Sequence, residues 1–177
     1  MAPMRPHEGE ARSAPIAVQR KWLAGFEVFD RAPVDEWLCL ARLAERCAAD
    51  GNDEAARGAA RLRRLQAALP ELLPVAIDRG ALCMFHQWQQ LERGVAVAAH
   101  VDAASPPADT VVTLSLGTGS ADSVRVGDVA MRVVAGDIYA ISGAARWDVE
   151  HEVFASTSDR LSLTLRFARP ASVREPS

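Results

Sequence analysis

The sequence predicts a mainly β domain, a β-barrel or jelly roll, preceded by a layer of helices. Three observations support this fold class: helical periodicity before Gly80, a series of short strand-like runs after it, and a size that suits one soluble domain. The chain has 177 residues, of which 49% are hydrophobic and 24% are charged. A chain of this length buries about 70% of its unfolded surface, so it needs no disulfide to hold a core.

Both ends of the chain are polar and carry proline. We expect residues 1–18 and 170–177 to be loose, since chain ends of this kind are poorly ordered unless something ties them down. Residues 19–169 then form a single domain, divided into a helical layer over 19–80 and a β core over 81–169.

Two helices are predicted within the helical layer. From Val34 to Ala49, apolar residues recur at intervals of three and four, and Pro33 and Asp35 suit a first helical turn. Polar turn residues follow at 50–53. A second helix is predicted from Glu54 to Leu69, because Ala and Leu side chains again recur on one face.

After Gly80 the sequence changes to short β-rich runs separated by Gly, Pro, Asp and Ser. Eight such runs follow one another, and no helix-length run lies among them. This spacing is typical of an all-β sandwich or barrel. The predicted strands are Leu82 to Leu91, Val95 to His100, Thr110 to Leu116, Val124 to Val126, Ala130 to Val134, Ile138 to Ser142, Val149 to Phe154 and Leu161 to Phe167.

The charge balance and the cysteines argue against several classes of protein. Twenty basic against 23 acidic residues give a net charge of −3, which is a poor match for a general nucleic-acid binder. Cys39, Cys47 and Cys83 are odd in number and lack C-x-x-C spacing, so neither a disulfide framework nor a cysteine zinc site is expected. The sequence shows no signal segment and no membrane span, which predicts a cytoplasmic protein.

His100 and Asp102 are the first candidates for chemistry. Residues two apart on a strand project from the same face, so one nitrogen and one oxygen donor are presented together. A second histidine from a distant strand, for which His151 is the candidate, would complete three ligands on one side of a metal ion. Two histidines and one carboxylate form the facial triad of non-haem Fe(II) oxygenases, although zinc accepts the same donors. On its own, H-x-D also fits a surface histidine and aspartate near a strand end.

Nine residues after His151, polar and apolar residues begin to alternate strictly. In the run Arg160-Leu-Ser162-Leu-Thr164-Leu-Arg166, every even position is polar or cationic. The pattern fits a barrel strand that faces an anion-binding cavity, in which an arginine fork binds a carboxylate through two hydrogen bonds. It fits equally an edge strand whose polar face is solvated.

Taken together and in this order, these residues resemble the AlkB-like branch of the 2-oxoglutarate- and Fe(II)-dependent dioxygenases. The resemblance runs from about Leu82 to Ala168, nearly half of the chain. Besides H-x-D, His151 and R-x-S-x-T-x-R, its elements are Gly94, the segment Thr113 to Gly117, Gly136-Asp137, and the segment Ser142 to Arg146.

The resemblance implies a double-stranded β-helix core, a cupin-like jelly roll. It also implies that His100, Asp102 and His151 bind Fe(II), and that Arg160 binds the distal carboxylate of the cosubstrate 2-oxoglutarate. O₂ is the implied oxidant.

The resemblance also assigns residues around the cosubstrate. Ser162 stands where relatives have a small polar cosubstrate contact, and Arg166 resembles their second arginine, near the cosubstrate or the substrate pocket. Two positions depart from the family pattern. The tyrosine that usually hydrogen-bonds 2-oxoglutarate is replaced by Leu91, and the residue after the second metal histidine, often Gly, is Glu152.

The implied activity is oxidation of a C–H bond, either a hydroxylation or an oxidative demethylation, coupled to decarboxylation of 2-oxoglutarate to succinate. The net acidity and the short N-terminal layer favour a small molecule or a protein side chain as the substrate. An alkylated nucleobase in DNA or RNA is the alternative, with Trp88 and Trp147 as candidate stacking platforms and Arg57, Arg61 and Arg64 as candidate phosphate contacts. A β-barrel binding module without catalysis is the third hypothesis.

Overall fold

The structure is a computed structural model, and it describes residues 18–23, 26–29, 53–73, 76–103, 108–116 and 122–169. The first predicted helix, Val34 to Ala49, lies outside these ranges, as do residues 1–17 and 170–177. None of the helices within the described ranges is long and apolar enough to cross a bilayer.

Ten strands and two helices make up the described part of the chain. In chain order they are β1 (Val18–Leu23), β2 (Phe26–Phe29), α1 (Asp53–Leu72), β3 (Leu82–Leu91), β4 (Val97–His100), β5 (Thr110–Ser115), β6 (Asp122–Val126), β7 (Val129–Val133), β8 (Ile138–Ser142), α2 (Gly143–Trp147), β9 (His151–Val153) and β10 (Arg160–Ala168).

The strands form two antiparallel sheets. The large sheet has six strands in the order β1-β2-β8-β5-β10-β3, and the small sheet has four in the order β4-β9-β6-β7. Neighbours in these orders are mostly distant in sequence, as in a jelly roll rather than a simple meander. All eight predicted strands are present, with ends within two residues of those expected. The mainly β prediction is therefore confirmed.

The assignment of residues 19–80 to a helical layer needs a correction. The second predicted helix is present as α1, but the start of this segment forms β1 and β2. β2 pairs with β8, and β1 pairs with β2, so the hairpin extends the large sheet. The sequence Phe26-Glu-Val-Phe29 is apolar except for Glu27, but four residues are too few for a strand pattern to stand out, and the edge of β8 that it covers is a tertiary feature.

The outer face of the large sheet carries the main hydrophobic core. Apolar side chains of β5, β8 and β10 pack there against α1 and the segment that follows it. Leu163, Leu165 and Phe167 supply the contribution of β10, and all three are at most 1% exposed. Leu69 of α1 and Leu73, just after the end of α1, pack against this face of the sheet. Burial of this face explains why every odd position of β10 from 161 to 167 is apolar.

The inner face of the large sheet packs against the small sheet. A second core lies between the sheets, built from side chains of β5, β6, β7, β8 and α2. Its members are Val111, Val124, Val126, Met131, Val133, Tyr139, Ile141 and Ala145. This core does not include β10, whose inward-facing positions are Arg160, Ser162, Thr164 and Arg166. The space between the sheets is thus apolar at β6 and β7 and polar at β10.

Candidate metal centre

The pairing of β4 with β9 brings together His100 and His151. The two histidines are direct partners in the strand register, although 51 residues separate them in the sequence. Their ring centroids are 4.4 Å apart. Asp102 follows β4 and lies beside both rings. The structure therefore places His151, the candidate for the distant second histidine, beside His100 and Asp102.

The three side chains have the spacing that a metal ion needs. Asp102 Oδ1 lies 3.8 Å from Nε2 of His100 and 3.9 Å from Nε2 of His151. One ion at about 2.0–2.2 Å from each donor can hold ligand atoms up to about 4.4 Å apart. Within the described ranges this is the one group of three histidine, cysteine or acidic side chains so arranged.

A backbone contact sets the orientation of His100. Its Nδ1 donates a hydrogen bond of 2.8 Å to the carbonyl oxygen of Ala98. With the proton on Nδ1, the lone pair of Nε2 is directed toward Asp102 and His151. Metal-binding histidines usually have such an outer partner, which fixes the tautomer. Two imidazole nitrogens and one carboxylate, so oriented, suit Fe(II).

Two arginines hold the carboxylate of Asp102. Arg166 forms a bidentate ion pair with it, Nη1 to Oδ2 at 2.6 Å and Nη2 to Oδ1 at 3.0 Å. Nη1 of Arg146 lies 3.6 Å from Oδ2. Burial alone would raise the pKa of Asp102, but the hydrogen bonds and charge of Arg166, with Arg146, outweigh it and lower the pKa. Asp102 is therefore ionised at neutral pH, as a metal ligand must be.

His151 is held in its neutral form. Burial lowers its pKa most, and the neighbouring His100 lowers it further, while Asp102 acts in the opposite direction. A neutral imidazole is the form that coordinates metal. The lowered pKa values therefore keep Asp102 ionised and His151 neutral, which are the forms that bind a cation.

Arg160 and Ser162 lie buried inside the molecule. Arg160 is 2% exposed and Ser162 is 1% exposed. They are at the start of β10, which runs between β5 and β3 in the middle of a sheet. The interpretation of this polar row as the solvated face of an edge strand is therefore wrong. Leu91 is the register partner of Arg160 on β3, so an apolar side chain stands beside Arg160.

Arg166 contacts a residue of the candidate metal centre directly. Both of its terminal nitrogens bind the carboxylate of Asp102. The resemblance implied a place near the cosubstrate or the substrate pocket, and that role stays a prediction. Arg166 and Arg160 lie on the same strand face, so spacing alone could not tell which of them pairs with Asp102.

The departure at Glu152 does not affect the candidate metal centre. Glu152 is the register partner of Arg125 on β6, and the two side chains form an ion pair of 2.5 Å. Glu152 directly follows His151 on β9, so its side chain projects from the opposite face of the small sheet. The carboxylate is thus neutralised by a strand neighbour.

Sequence reasoning missed the role of Arg146. This side chain is fully buried and donates hydrogen bonds to the carbonyl oxygens of Asp102, at 3.3 Å, and Ala103, at 3.1 Å. With 20 basic residues in the chain, residue type alone did not single it out. The only available signal was its place at the end of the segment Ser142 to Arg146.

Of the residues considered for nucleic-acid binding, Trp147 lies near the metal centre, whereas Trp88, Arg61 and Arg64 lie on the other side of the large sheet. Trp88 packs against the outer core, on the opposite face of the large sheet from Arg166. The ring of Trp147 is stacked on the guanidinium of Arg146, with 4.4 Å from ring centroid to Cζ. Arg61 and Arg64 are exposed on α1, which also covers the outer face. The helix arginines and the metal centre are therefore on different sides of the sheet.

Comparisons with known proteins bear on the fold of the chain. No family model matches the sequence, and no curated protein matches it. The structure is similar to a prolyl-4-hydroxylase from Pseudomonas putida, with a TM-score of 0.54 and 19% identity, over 83% of this chain and 94% of that one. It is also similar to a prolyl 4-hydroxylase from Phytophthora capsici, with a TM-score of 0.55 and 16% identity, over 86% of this chain and 61% of that one.

Both neighbours are named as prolyl 4-hydroxylases. The similarity covers most of this chain. At 16% and 19% identity the similarity shows the fold: the chain has a jelly-roll fold like that of these two prolyl 4-hydroxylases.

Proposed function

We propose that this protein is an Fe(II)- and 2-oxoglutarate-dependent oxygenase that hydroxylates or oxidatively demethylates a small molecule or a protein side chain. The observation that carries the proposal is the convergence of His100, Asp102 and His151 around one point in the space between the sheets, within a fold that such oxygenases share. Fe(II), 2-oxoglutarate and O₂ are the cofactor, cosubstrate and oxidant.

One set of residues binds the metal, and another set binds the cosubstrate. His100, Asp102 and His151 hold the metal on one side and leave its other positions open. Bound together, Fe(II) and 2-oxoglutarate supply the oxidation of a C–H bond by O₂, in which the substrate gains a hydroxyl and 2-oxoglutarate becomes succinate and CO₂. Arg166 and Arg146 keep the Asp102 carboxylate ionised.

Arg160 binds the distal carboxylate of 2-oxoglutarate, and Ser162 adds a hydroxyl contact. Their burial supports this role, because an arginine fork inside the protein binds a carboxylate in a setting where water competes little. Leu91 beside Arg160 cannot donate the hydrogen bond that the usual tyrosine provides. The cosubstrate therefore depends on Arg160 more strongly here than in relatives that keep the tyrosine.

A side chain or small molecule is the preferred substrate class. The net charge of −3 gives little general attraction for a polyanion. Two structural neighbours are named as prolyl 4-hydroxylases, which are enzymes that act on proline. Their names support a protein side chain as the substrate. The ordered AlkB-like motifs keep alkylated nucleobases as the competing substrate, but the exposed arginines of α1 lie across the large sheet from the metal centre. The convergence of His100, Asp102 and His151 on one point argues against a non-catalytic module.

The first experiment tests cofactor binding. Anaerobic addition of Fe(II) and 2-oxoglutarate to the full chain should produce a weak visible charge-transfer band, and added O₂ should yield succinate. The His151→Ala variant should show neither. Full succinate formation by that variant would overturn the metal assignment, and a wild-type chain without band or metal would support the binding-module hypothesis.

The second experiment tests the substrate class. Peptides, metabolites and methylated oligonucleotides are compared for stimulation of succinate release at a fixed 2-oxoglutarate concentration. We expect stimulation by a peptide or metabolite. Stimulation by methylated oligonucleotides alone, together with binding that weakens steeply with salt, would contradict the preferred class and favour the nucleobase alternative.

A further inference from the structure

Arg146 occupies an unusual position for a charged side chain. It lies on the short helix α2, directly after β8, and is 0% exposed. Burying a guanidinium is costly unless its hydrogen bonds and charge are matched by partners. The partners of Arg146 therefore show what the residue contributes.

Among the described residues, the hydrogen-bond acceptors of Arg146 belong to the segment that carries Asp102. Nη1 donates to the carbonyl oxygen of Asp102 at 3.3 Å, and Nη2 donates to that of Ala103 at 3.1 Å. Nη1 also lies 3.6 Å from Oδ2 of the Asp102 carboxylate. The ring of Trp147 covers the guanidinium at 4.4 Å. One rigid fork thus binds both the backbone and the side chain of a candidate metal ligand.

Arg146 and Arg166 act on Asp102 differently. Arg166 contacts only the carboxylate, and its Nη2 lies 3.0 Å from Oδ1, the oxygen that is close to both histidines. A cation that binds Oδ1 competes with that hydrogen bond. The bonds of Arg146 go to backbone carbonyl oxygens, which a metal ion between Asp102 and the histidines does not touch. Arg146 therefore keeps its hold on the segment whether or not the metal is bound.

We propose that Arg146 is a positioning residue of the metal centre, which fixes the backbone of Asp102 and Ala103 so that Oδ1 stays within reach of both histidines. The inference rests on the proposed function and extends it to a residue outside the triad. Asp102 lies beyond the end of β4, so strand pairing does not restrain its backbone. The two bonds from α2 replace that restraint. A lysine has a single ammonium and cannot reproduce a planar fork across two carbonyl groups.

The experiment compares Arg146→Lys and Arg146→Met with the matched control Arg125→Met. Arg125 is an arginine of the small sheet whose ion pair with Glu152 lies on the other face. Co(II) is the probe, and its visible d–d spectrum and dissociation constant are measured on the full chain without cosubstrate. Loss of an outer partner of a metal ligand costs about 10–100-fold in metal affinity. We expect a loss of this size with an altered spectrum in both Arg146 variants, and wild-type values for the control.

The outcomes separate the two proposals. A wild-type chain that binds no Co(II) would contradict the proposed function. Wild-type binding together with an unchanged affinity and spectrum in Arg146→Lys would overturn the role of Arg146 alone. If Arg146→Met does not fold, hydrogen exchange of the peptide around 98–103 in Arg146→Lys decides. Exchange should become faster there and stay unchanged in α1, and unchanged exchange in both regions would also overturn the role of Arg146.

Discussion

The two faces of β10 show how one strand serves two purposes. Its odd positions, such as Leu163 and Leu165, are packed under α1 and are at most 1% exposed. Its even positions, such as Arg160 and Arg166, turn into the space between the sheets, and Arg166 binds Asp102 directly. The outer face stabilises the fold through apolar packing. The inner face carries arginines, whose burial is costly unless an anionic group such as the Asp102 carboxylate pairs with them. Changes on the two faces should therefore have separable effects.

The largest effect is expected from His151→Ala, at a residue of the small sheet that lies beside Asp102, the partner of Arg166. Removing one of three donors should abolish metal binding and succinate formation, since two ligands rarely retain a divalent ion. Metal content and succinate release measure the effect. His86→Ala is the control, because His86 is exposed on β3 and Nδ1 contacts Gln66 of α1 on the outer side. Succinate formation by His151→Ala would contradict the role of His151 in metal binding. Loss of activity in His86→Ala would show that the outer face also affects the metal centre.

The next effect is expected from Leu163→Ala on the outer face. Truncating a buried leucine removes apolar contacts and leaves a cavity, which costs about 2–5 kcal/mol of the free energy of unfolding. Urea denaturation followed by circular dichroism measures this loss. The protein that remains folded should bind Co(II) with wild-type affinity. A change in Co(II) affinity at equal folded concentration would mean that the two faces are coupled through β10.

Arg160→Lys tests whether the inner face of β10 binds 2-oxoglutarate. A point charge replaces a two-pronged fork, and a lost hydrogen bond to a charged group is worth about 1.5–3 kcal/mol. The 2-oxoglutarate concentration at half-maximal succinate formation should therefore rise about tenfold or more, with Co(II) affinity unchanged. Arg132→Lys, at an exposed position of β7, is the control. An unchanged 2-oxoglutarate requirement would remove Arg160 from the cosubstrate site.

The smallest effect concerns pH and the metal-free protein. Burial and then His100 depress the pKa of folded His151, so the unfolded chain takes up the proton first, near the ordinary histidine pKa of about 6.5. The resulting stability is present above that pH and is lost as the pH falls through the lower folded pKa. Denaturation at pH 7.5 and 5 should show a smaller decrease in His151→Ala than in wild type. Equal decreases would mean that other groups account for the acid sensitivity.

Much of the fold was predictable because its signals are local. The eight strands after Gly80 alternate or carry short β-rich runs between turn residues, and α1 shows a clear helical period. The hairpin of β1 and β2 was missed because two short runs mean little without the sheet edge that they cover. Helix α2 was missed because five residues contain barely more than one turn.

The candidate site was predictable only in part. The placement of His100 and Asp102 on one side follows from their spacing of two. The choice of His151 as their partner rested on the order of the motifs, and the register of β4 with β9 brings it there. The bidentate pairing of Arg166 with Asp102 was not predicted, because Asp102 lies in a loop whose path no local pattern specifies.

The sequence by itself determined that the chain forms alternating strands, that β10 has one apolar and one polar face, and that His100 and Asp102 project together. These properties depend on the geometry of neighbouring residues along one strand. Only the tertiary structure decided which arginine holds Asp102, that Arg146 grips its backbone, and that Leu91 stands beside Arg160. Contacts of this kind join residues tens of positions apart, so they depend on strand order and register rather than on any local pattern.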